Sequence, residues 1–476
     1  MPGGRAQRAV TALPGLLLAL GLGLWGIRRG GTMWRDEAVT YDVSRRGFAD
    51  LWHTLGNADA VHGLYYLLMH GLFRITGDAD PLLVMRIPSV LAMSAAAAGV
   101  ALLGRRLAGA RAGLLSGVAF AAFPLIQRFA QEGRSYAAVC ALTVWATSAL
   151  VDAVAAEGPR ARRLWCRYTA LVLAACLLHE FAVFALAGHA FAVPRAARRQ
   201  WAAAAGAAVV GLAPLAVLSR RQQAQVQWLS FDTRQYAATL GVCLVGVGCA
   251  ALLRRWGSRR TGPVGLVRVA LPLLTAPVCL LMALAPVKPL FVDRYVLYIW
   301  AGLALLAGGV LDRSLRGGPG RAAVASVTVL AALAALIPLA LHLRTPESRV
   351  DNSTGAAHAV RAAGHAGDAV VYMPSRRRVW ALSSPAAVEG LRDIALDRSP
   401  AASHTLYGRE VPAGVIRDRM SGERRIVLVT DPAGSGFDAI DRETVKRRVI
   451  EDRFARCRSW HTRGARVILY ARPGGC

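Results

Sequence analysis

Apolar residues run along this chain in long unbroken stretches, separated by short segments that carry arginine. A helix needs about 20 such residues to cross the hydrocarbon of a bilayer. The stretches at about 10–27, 85–103, 112–126, 136–156, 201–219, 236–253, 266–286, 295–311 and 321–342 therefore predict nine spanning helices. Residues 168–193 form a further apolar piece, bounded by Arg167 and Arg195 and broken midway by the polar pair His179-Glu180. No small-residue cleavage site follows the first stretch before Trp34, so it reads as a retained helix and not as a removable leader.

The arginines orient the array. Clusters at Arg105, Arg106 and Arg111, at Arg160, Arg162 and Arg163, at Arg195, Arg198 and Arg199, at Arg254, Arg255, Arg259 and Arg260, and at Arg313, Arg316 and Arg321 all fall between apolar stretches. Cytoplasmic loops are enriched in Lys and Arg. All five clusters share one side only if 168–193 goes out and back, as two short helices or a re-entrant hairpin with His179-Glu180 near the outer tip. The expectation is eleven crossings, with the N-terminus inside and the C-terminus outside. Of the 14 acidic residues before position 343, 11 then face outward, so the working face is extracytoplasmic.

Composition agrees. Of 476 residues, 55% are apolar and 18% charged, with a mean hydropathy of +0.38; soluble chains carry about 25% charged residues. The hydrophobicity excludes a disordered protein. The net charge of +28 would suit nucleic acid, but the cations lie between spans and not along one soluble stretch, so no nucleic-acid partner is expected. The partner that the pattern requires is a lipid bilayer. Eight cysteines without dense spacing exclude a disulfide scaffold.

Residues 1–342 read as the membrane domain, with a first outer loop at 28–84, and 343–476 as a small extracytoplasmic α/β domain. Strand-like runs at Ala369–Met373, Arg425–Val429 and Arg466–Tyr470, punctuated by Gly and Pro, support the latter. Cys457 and Cys476 lie there; a disulfide and two separate thiols are both open.

The chemistry-bearing residues lie on the outer side. The first loop begins with Trp34-Arg35-Asp36-Glu37, directly beyond the first span. Adjacent carboxylates at a membrane surface are costly unless solvated, paired or metal-bound. Asp36 reads as a general base for an acceptor hydroxyl; Glu37 needs a cation, for which Arg86 or Arg134 could serve. A solvated loop acid is the ordinary alternative. Residues 61–75 have helical apolar spacing with His62, His70 and Arg74 between, which predicts an interfacial amphipathic helix. His62 and Tyr65 are candidates to touch substrate there, although packing is the ordinary role of such a stripe. Glu132, Arg134 and Tyr136 follow the third span, and Lys288 and Arg294 precede the eighth. A surface ion pair or interface anchoring is the ordinary reading of these charges; the functional one is a phosphate cradle, because guanidinium suits phosphate oxygens. Asp36, Glu132 and Glu180 are the carboxylates available to a divalent ion, but no ligand spacing calls for one, and no nucleotide-binding glycine loop occurs. No cofactor is expected.

At these residues the chain resembles the GT-C class of polytopic glycosyltransferases, in the family-39-like branch that contains protein O-mannosyltransferases and aminoarabinose-lipid A transferases. The resemblance rests on Trp34-Arg35-Asp36-Glu37, Asp59-Ala60-Val61-His62-Gly63-Leu64-Tyr65-Tyr66, Arg86-Ile87-Pro88, Ala130-Gln131-Glu132-Gly133-Arg134-Ser135-Tyr136 and Asp293-Arg294-Tyr295, in that order along residues 10–342. It implies a polyprenyl-phosphate sugar as donor, a mannose-like hexose or similar sugar, and an extracytoplasmic acceptor. It also implies that Asp36 is the catalytic carboxylate, that Glu37 is its arginine-paired neighbour with Arg86 as partner, and that Arg134, Lys288 or Arg294 contact lipid phosphate. Many relatives have His-Pro-Pro where this chain has His62-Gly63-Leu64, so the local turn and the acceptor are in doubt. Two other classes compete. A transporter or flippase of lipid-linked sugars would place charges at mid-membrane in interrupted helices, and a non-catalytic membrane scaffold would be indifferent to loss of Asp36.

Overall fold

The computed structural model describes residues 3–222, 232–257, 263–286, 291–436 and 438–476. Lys288, and Arg259 and Arg260 of one basic loop, lie outside the described residues. The chain divides into two compact units. One comprises Met1–Ile27, Ala60–Tyr65 and Arg86–Leu343; the other comprises Arg28–Asp59, Tyr66–Met85 and Arg344–Cys476. Most of the first outer loop thus belongs with the C-terminal residues, a grouping that the chain order does not reveal.

The first unit is helical. Among the described residues, seven helices are long and apolar enough to cross a membrane, and the bent pair Ala110–Ala122 and Pro124–Ala130, broken at 65°, adds an eighth. The segment around 168–193 is two helices, Gly158–Leu178 and Ala185–Ala192, separated at His179 by a short 3₁₀ turn, Glu180–Phe184. A count of eleven requires these two and Ile299–Arg316 to cross as well. Close helix approach rests on small residues, the usual basis of packing where lipid removes the hydrophobic drive. A Cβ at Gly113 would collide with the backbone of Ala101 and Arg105, and one at Gly302 would lie 2.5 Å from the Ala270 carbonyl. Asp152 pairs with Arg106 at 2.7 Å and Asp312 with Arg111 at 2.8 Å. Both acids thus pair with arginines of the basic clusters between apolar stretches.

The second unit holds a five-stranded sheet ordered β2-β1-β5-β7-β6. Its strands are β1 (Ala369–Met373), β2 (Arg392–Asp393), β5 (Arg425–Thr430), β6 (Ala455–Thr462) and β7 (Ala465–Ala471); β3 (Leu396–Arg398) and β4 (Arg409–Glu410) form a separate ribbon. β1 runs parallel to β2 and β5, and β7 runs antiparallel to β5 and β6. The three strand-like runs of the sequence are β1, β5 and β7. Helices Ala413–Gly422 and Asp441–Arg453 contribute Ile416, Met420, Val449 and Ile450 to the core over Ile426, Leu428 and Ile468. Cys457 and Cys476 form a disulfide; the other six cysteines are free.

Candidate active site

In the second unit, helix Arg35–Arg45 starts inside the Trp34-Arg35-Asp36-Glu37 motif. Trp34 is extended (φ −101°, ψ 168°), and Glu37 reaches back to accept its backbone N–H at 3.4 Å. Both acids occupy the first helical turn, where exposed N–H groups and the helix dipole favour negative charge. Their surroundings then diverge. The Glu37 side chain is 0% exposed and accepts from one nitrogen, Arg29 Nη2, through both of its oxygens, at 2.9 and 3.0 Å. That of Asp36 is 19% exposed, with Arg35 Nε at 3.6 Å. Arg29 reaches Glu37 because the chain folds back through three left-handed residues, Arg29 (φ 44°), Gly30 (φ 67°) and Gly31 (φ 80°); glycine accepts that conformation without strain. The expected cations for Glu37 were Arg86 and Arg134. Arg29 is a partner that the sequence reading missed.

The motif is tied to a distant part of the same unit. Met33 N–H donates to Thr354 Oγ1 at 3.0 Å, Ser353 donates to the Met33 carbonyl through its hydroxyl at 2.9 Å and its backbone N–H at 3.0 Å, and Arg35 N–H donates to Asp351 Oδ1 at 2.7 Å. Burial pushes the Asp351 carboxyl up from its usual range, against the opposing pull of Arg35 and with a further push from Asp36. Burial likewise raises the Tyr407 phenol, which also feels Arg35, Asp59 and Asp36. Asp59 accepts a hydrogen bond from the Tyr66 hydroxyl. Asp36 thus sits among two further acids, an arginine and a phenol.

In the first unit, the other expected residues gather around His62. It ends a short 3₁₀ turn, Ala60–His62, whose Ala60 N–H donates to Gln222 Oε1 at 2.9 Å. The His62 ring meets Tyr136 edge-on at 6.1 Å and His179 at 5.4 Å; His179 in turn lies 4.5 Å from the Tyr295 ring. Arg294 lies over Tyr136 and Tyr295 at 5.8 and 5.4 Å. Burial holds the His62 imidazole well below its usual range, and the charges of Arg134, His179 and Arg294 push it further down. Two guanidiniums therefore bear on one neutral, aromatic-walled site. Neighbouring chemistry is locked into backbone. Arg86 donates to the Ile27 carbonyl at 2.6 Å, and Ser89 donates to the Glu132 carbonyl at 2.6 Å, while the buried Glu132 carboxylate has Arg128 Nε at 3.7 Å. Tyr65 is buried in the first turn of helix Gly63–Thr76.

Of the expected site residues, His62, Arg134, Tyr136 and Arg294 come together here, with Arg86, Glu132 and Tyr65 in the same unit, while Asp36 and Glu37 form the other group. His179, Tyr295, Arg29, Asp351 and Tyr407 were not on the expected list. His179 and Tyr295 had a signal, the polar break in an apolar run and the Asp293-Arg294-Tyr295 motif; Arg29 had only the Gly30-Gly31 pair that follows it, and Asp351 and Tyr407 had none. Among the described residues, no three His, Cys, Asp or Glu side chains converge as metal ligands would.

Solved structures share this arrangement of chain. ArnT from Cupriavidus metallidurans in the apo state matches with a TM-score of 0.57 and 11% identity, over 96% of this chain and 97% of its own. The same protein bound to undecaprenyl phosphate matches at 0.54 and 13%, over 97% and 98%. The Archaeoglobus fulgidus oligosaccharyltransferase in its apo form matches at 0.54 and 11%, over 89% of this chain and 69% of that one. The fold is GT-C-like. No protein-family model matches the chain, and no curated protein matches its sequence. At such identities the likeness carries the GT-C fold and leaves the chemistry to the residues.

Proposed function

We propose that this chain is a multi-pass membrane glycosyltransferase that moves a sugar, a mannose-like hexose or similar, from a polyprenyl-phosphate donor to an extracytoplasmic acceptor by single displacement. The observation that carries the reading is the divergence of Asp36 and Glu37. Glu37 is fully buried against Arg29, whereas Asp36, one residue earlier on the same helical turn, keeps part of its carboxylate open to solvent. A structural acid needs the first environment; a proton acceptor needs the second.

In the reaction, the acceptor hydroxyl oxygen attacks the anomeric carbon as the bond from that carbon to the phosphate oxygen breaks. The hydroxyl proton passes to Asp36 and the electron pair leaves with the lipid phosphate. Charge developing on that phosphate is met by Arg134 and Arg294, with Lys288 as a further cation. A phosphate leaves without a general acid, so one carboxylate suffices where a glycosidase uses two. Glu37 and Arg29 act by holding the helix start. His62, uncharged, and Tyr65 line the donor side, Arg86 and Glu132 hold the surrounding backbone, and Tyr136 supplies an aromatic wall. The ArnT neighbour bound to undecaprenyl phosphate supports the choice of donor. Eleven crossings, an inner N-terminus and an outer C-terminal domain complete the reading, with the proposed base Asp36 in the unit that includes 344–476.

The test is release of polyprenyl phosphate from mannosyl-phosphoryl-polyprenol by purified protein. Wild type releases it in the presence of acceptor and Asp36→Asn does not. Equal turnover by the two proteins refutes the assignment.

A further inference from the structure

The five-stranded sheet ends in an edge that the transferase reading does not use. In the order β2-β1-β5-β7-β6, β6 pairs with β7 on one side, and no strand lies on its other side among the described residues. Such an edge presents backbone N–H and C=O groups and is usually blunted by a few charged side chains. The charge here goes well beyond that. Residues 447–466, from the last two turns of helix Asp441–Arg453 through β6 into β7, contain seven arginines against two acids, Glu451 and Asp452. Arg448, Arg453, Arg456, Arg458 and Arg463 are exposed, and none of them forms an ion pair among the described residues. Other arginines of the same unit are matched: Arg377 pairs with Asp431, Arg378 with Asp393 and Glu410, and Arg392 with Glu423.

The ladder sets these side chains on both faces of the edge. Arg456 lies opposite Tyr470 and His461 opposite Arg466, on the face of Ile468 that helix Asp441–Arg453 covers. A register shift between Arg456 and Arg458 then sets Arg458 opposite Leu469 and Trp460 opposite Val467, on the other face. Arg458 lies over the Trp460 ring at 5.1 Å, and Arg456 donates to Ser459 Oγ at 2.6 Å, so both guanidiniums are held beside the strand. The eight residues of β6 extend over roughly 26 Å. The hairpin turn meets the segment that supports the Asp36 helix. There the Asn352 N–H donates to the Arg463 carbonyl at 2.9 Å, and a Cβ on Gly464 would lie 2.4 Å from that of Asp351. Asp351 in turn accepts the Arg35 N–H at 2.7 Å.

A field of one sign raises the local concentration of anions, and the planar fork of arginine suits carboxylate and phosphate oxygens. Shape selects among anions. A small anion needs cations that converge, whereas these are strung along a strand. Stable seating on a bilayer surface takes apolar side chains besides charge, and among the described residues no large exposed apolar side chain follows Ile440. An extended polyanion fits both the charge and the line. We infer that β6 docks an extended anionic glycan and leads its hydroxyls toward Asp36. The choice of a glycan among polyanions rests on the transferase reading, because an acceptor must carry hydroxyls.

The test uses the full-length chain in phosphatidylcholine nanodiscs, titrated by calorimetry with a galacturonate oligomer, a heparin oligosaccharide and a neutral maltodextrin. The two anionic oligomers bind saturably and the maltodextrin does not. Joint substitution Arg456→Ala, Arg458→Ala and Arg463→Ala weakens binding about tenfold. The same loss of charge at the exposed Arg160, Arg162 and Arg163 leaves it unchanged. Binding is read without donor, so its absence is distinguishable from a failure of Asp36→Asn to abolish turnover. The inference is overturned if neither anionic oligomer binds, if the maltodextrin binds equally, or if the two triple variants behave alike. It is also overturned if phosphatidylglycerol vesicles or a single-stranded oligonucleotide bind more tightly than both oligomers. Thermal unfolding checks that each variant is folded; should the hairpin variant fail, Arg448→Ala with Arg453→Ala on the exposed helix decides in its place, with a loss in the same direction.

Discussion

The two groups of candidate side chains differ in kind. Around Asp36 the side chains are mostly acids, each held by a neighbour's hydrogen bond, and Asp36 itself is partly open. Around His62 they are rings and guanidiniums, nearly all buried, and the histidine is held neutral. The first group suits accepting a proton, the second suits gripping an anion. The same pressure, burial, acts in opposite senses on them. It pushes the Asp351 carboxyl up, toward its protonated form, and holds the His62 imidazole down, toward its neutral form.

Substitutions should separate the groups. Asp36→Asn removes the proposed base with little change of shape, and turnover is expected to fall by about 10²–10⁴-fold, measured as polyprenyl phosphate released. Arg29→Met leaves Glu37 buried without this partner; thermal unfolding is expected to show a loss of about 3–5 kcal/mol, and the double variant Arg29→Met with Glu37→Leu should recover part of it. Arg294→Ala strips one cation from the aromatic site and is expected to cost about 10²–10³-fold in kcat/KM, with stability unchanged in the same unfolding assay.

The smallest effect is a pH dependence. Above about pH 6.5, His62 is neutral both folded and unfolded and contributes nothing to the slope. Below it, the unfolded chain takes up a proton that the folded chain refuses, so stability falls with pH by up to about 1.4 kcal/mol per unit for this one group. His62→Gln should flatten the stability curve between pH 6.5 and the onset of general acid unfolding; an unchanged slope would mean that the ring is not held neutral.

The sequence disclosed what local pattern encodes. The apolar runs read directly as helices, the three β-rich runs are the central strands, and the polar break at His179-Glu180 is where the helix pair divides. Trp34-Arg35-Asp36-Glu37 stood out because two adjacent carboxylates follow the first span, and a helix starts there. What stayed hidden depends on distance. Asp351 meets Arg35 across 316 positions, and nothing near either residue signals the other. Arg29 was overlooked because its role comes from a left-handed turn, visible in sequence only as Gly30-Gly31. The grouping of 28–59 and 66–85 with the C-terminal unit is likewise a tertiary fact.

Donor affinity and donor turnover, measured side by side for Asp36→Asn and Arg294→Ala, separate the proposed base from the proposed phosphate contact. Asp36→Asn should bind polyprenyl-phosphate sugar like wild type and fail to turn it over, while Arg294→Ala should lose affinity. An Asp36→Asn protein that turns over donor within a few-fold of wild type would contradict the assignment of Asp36 as base.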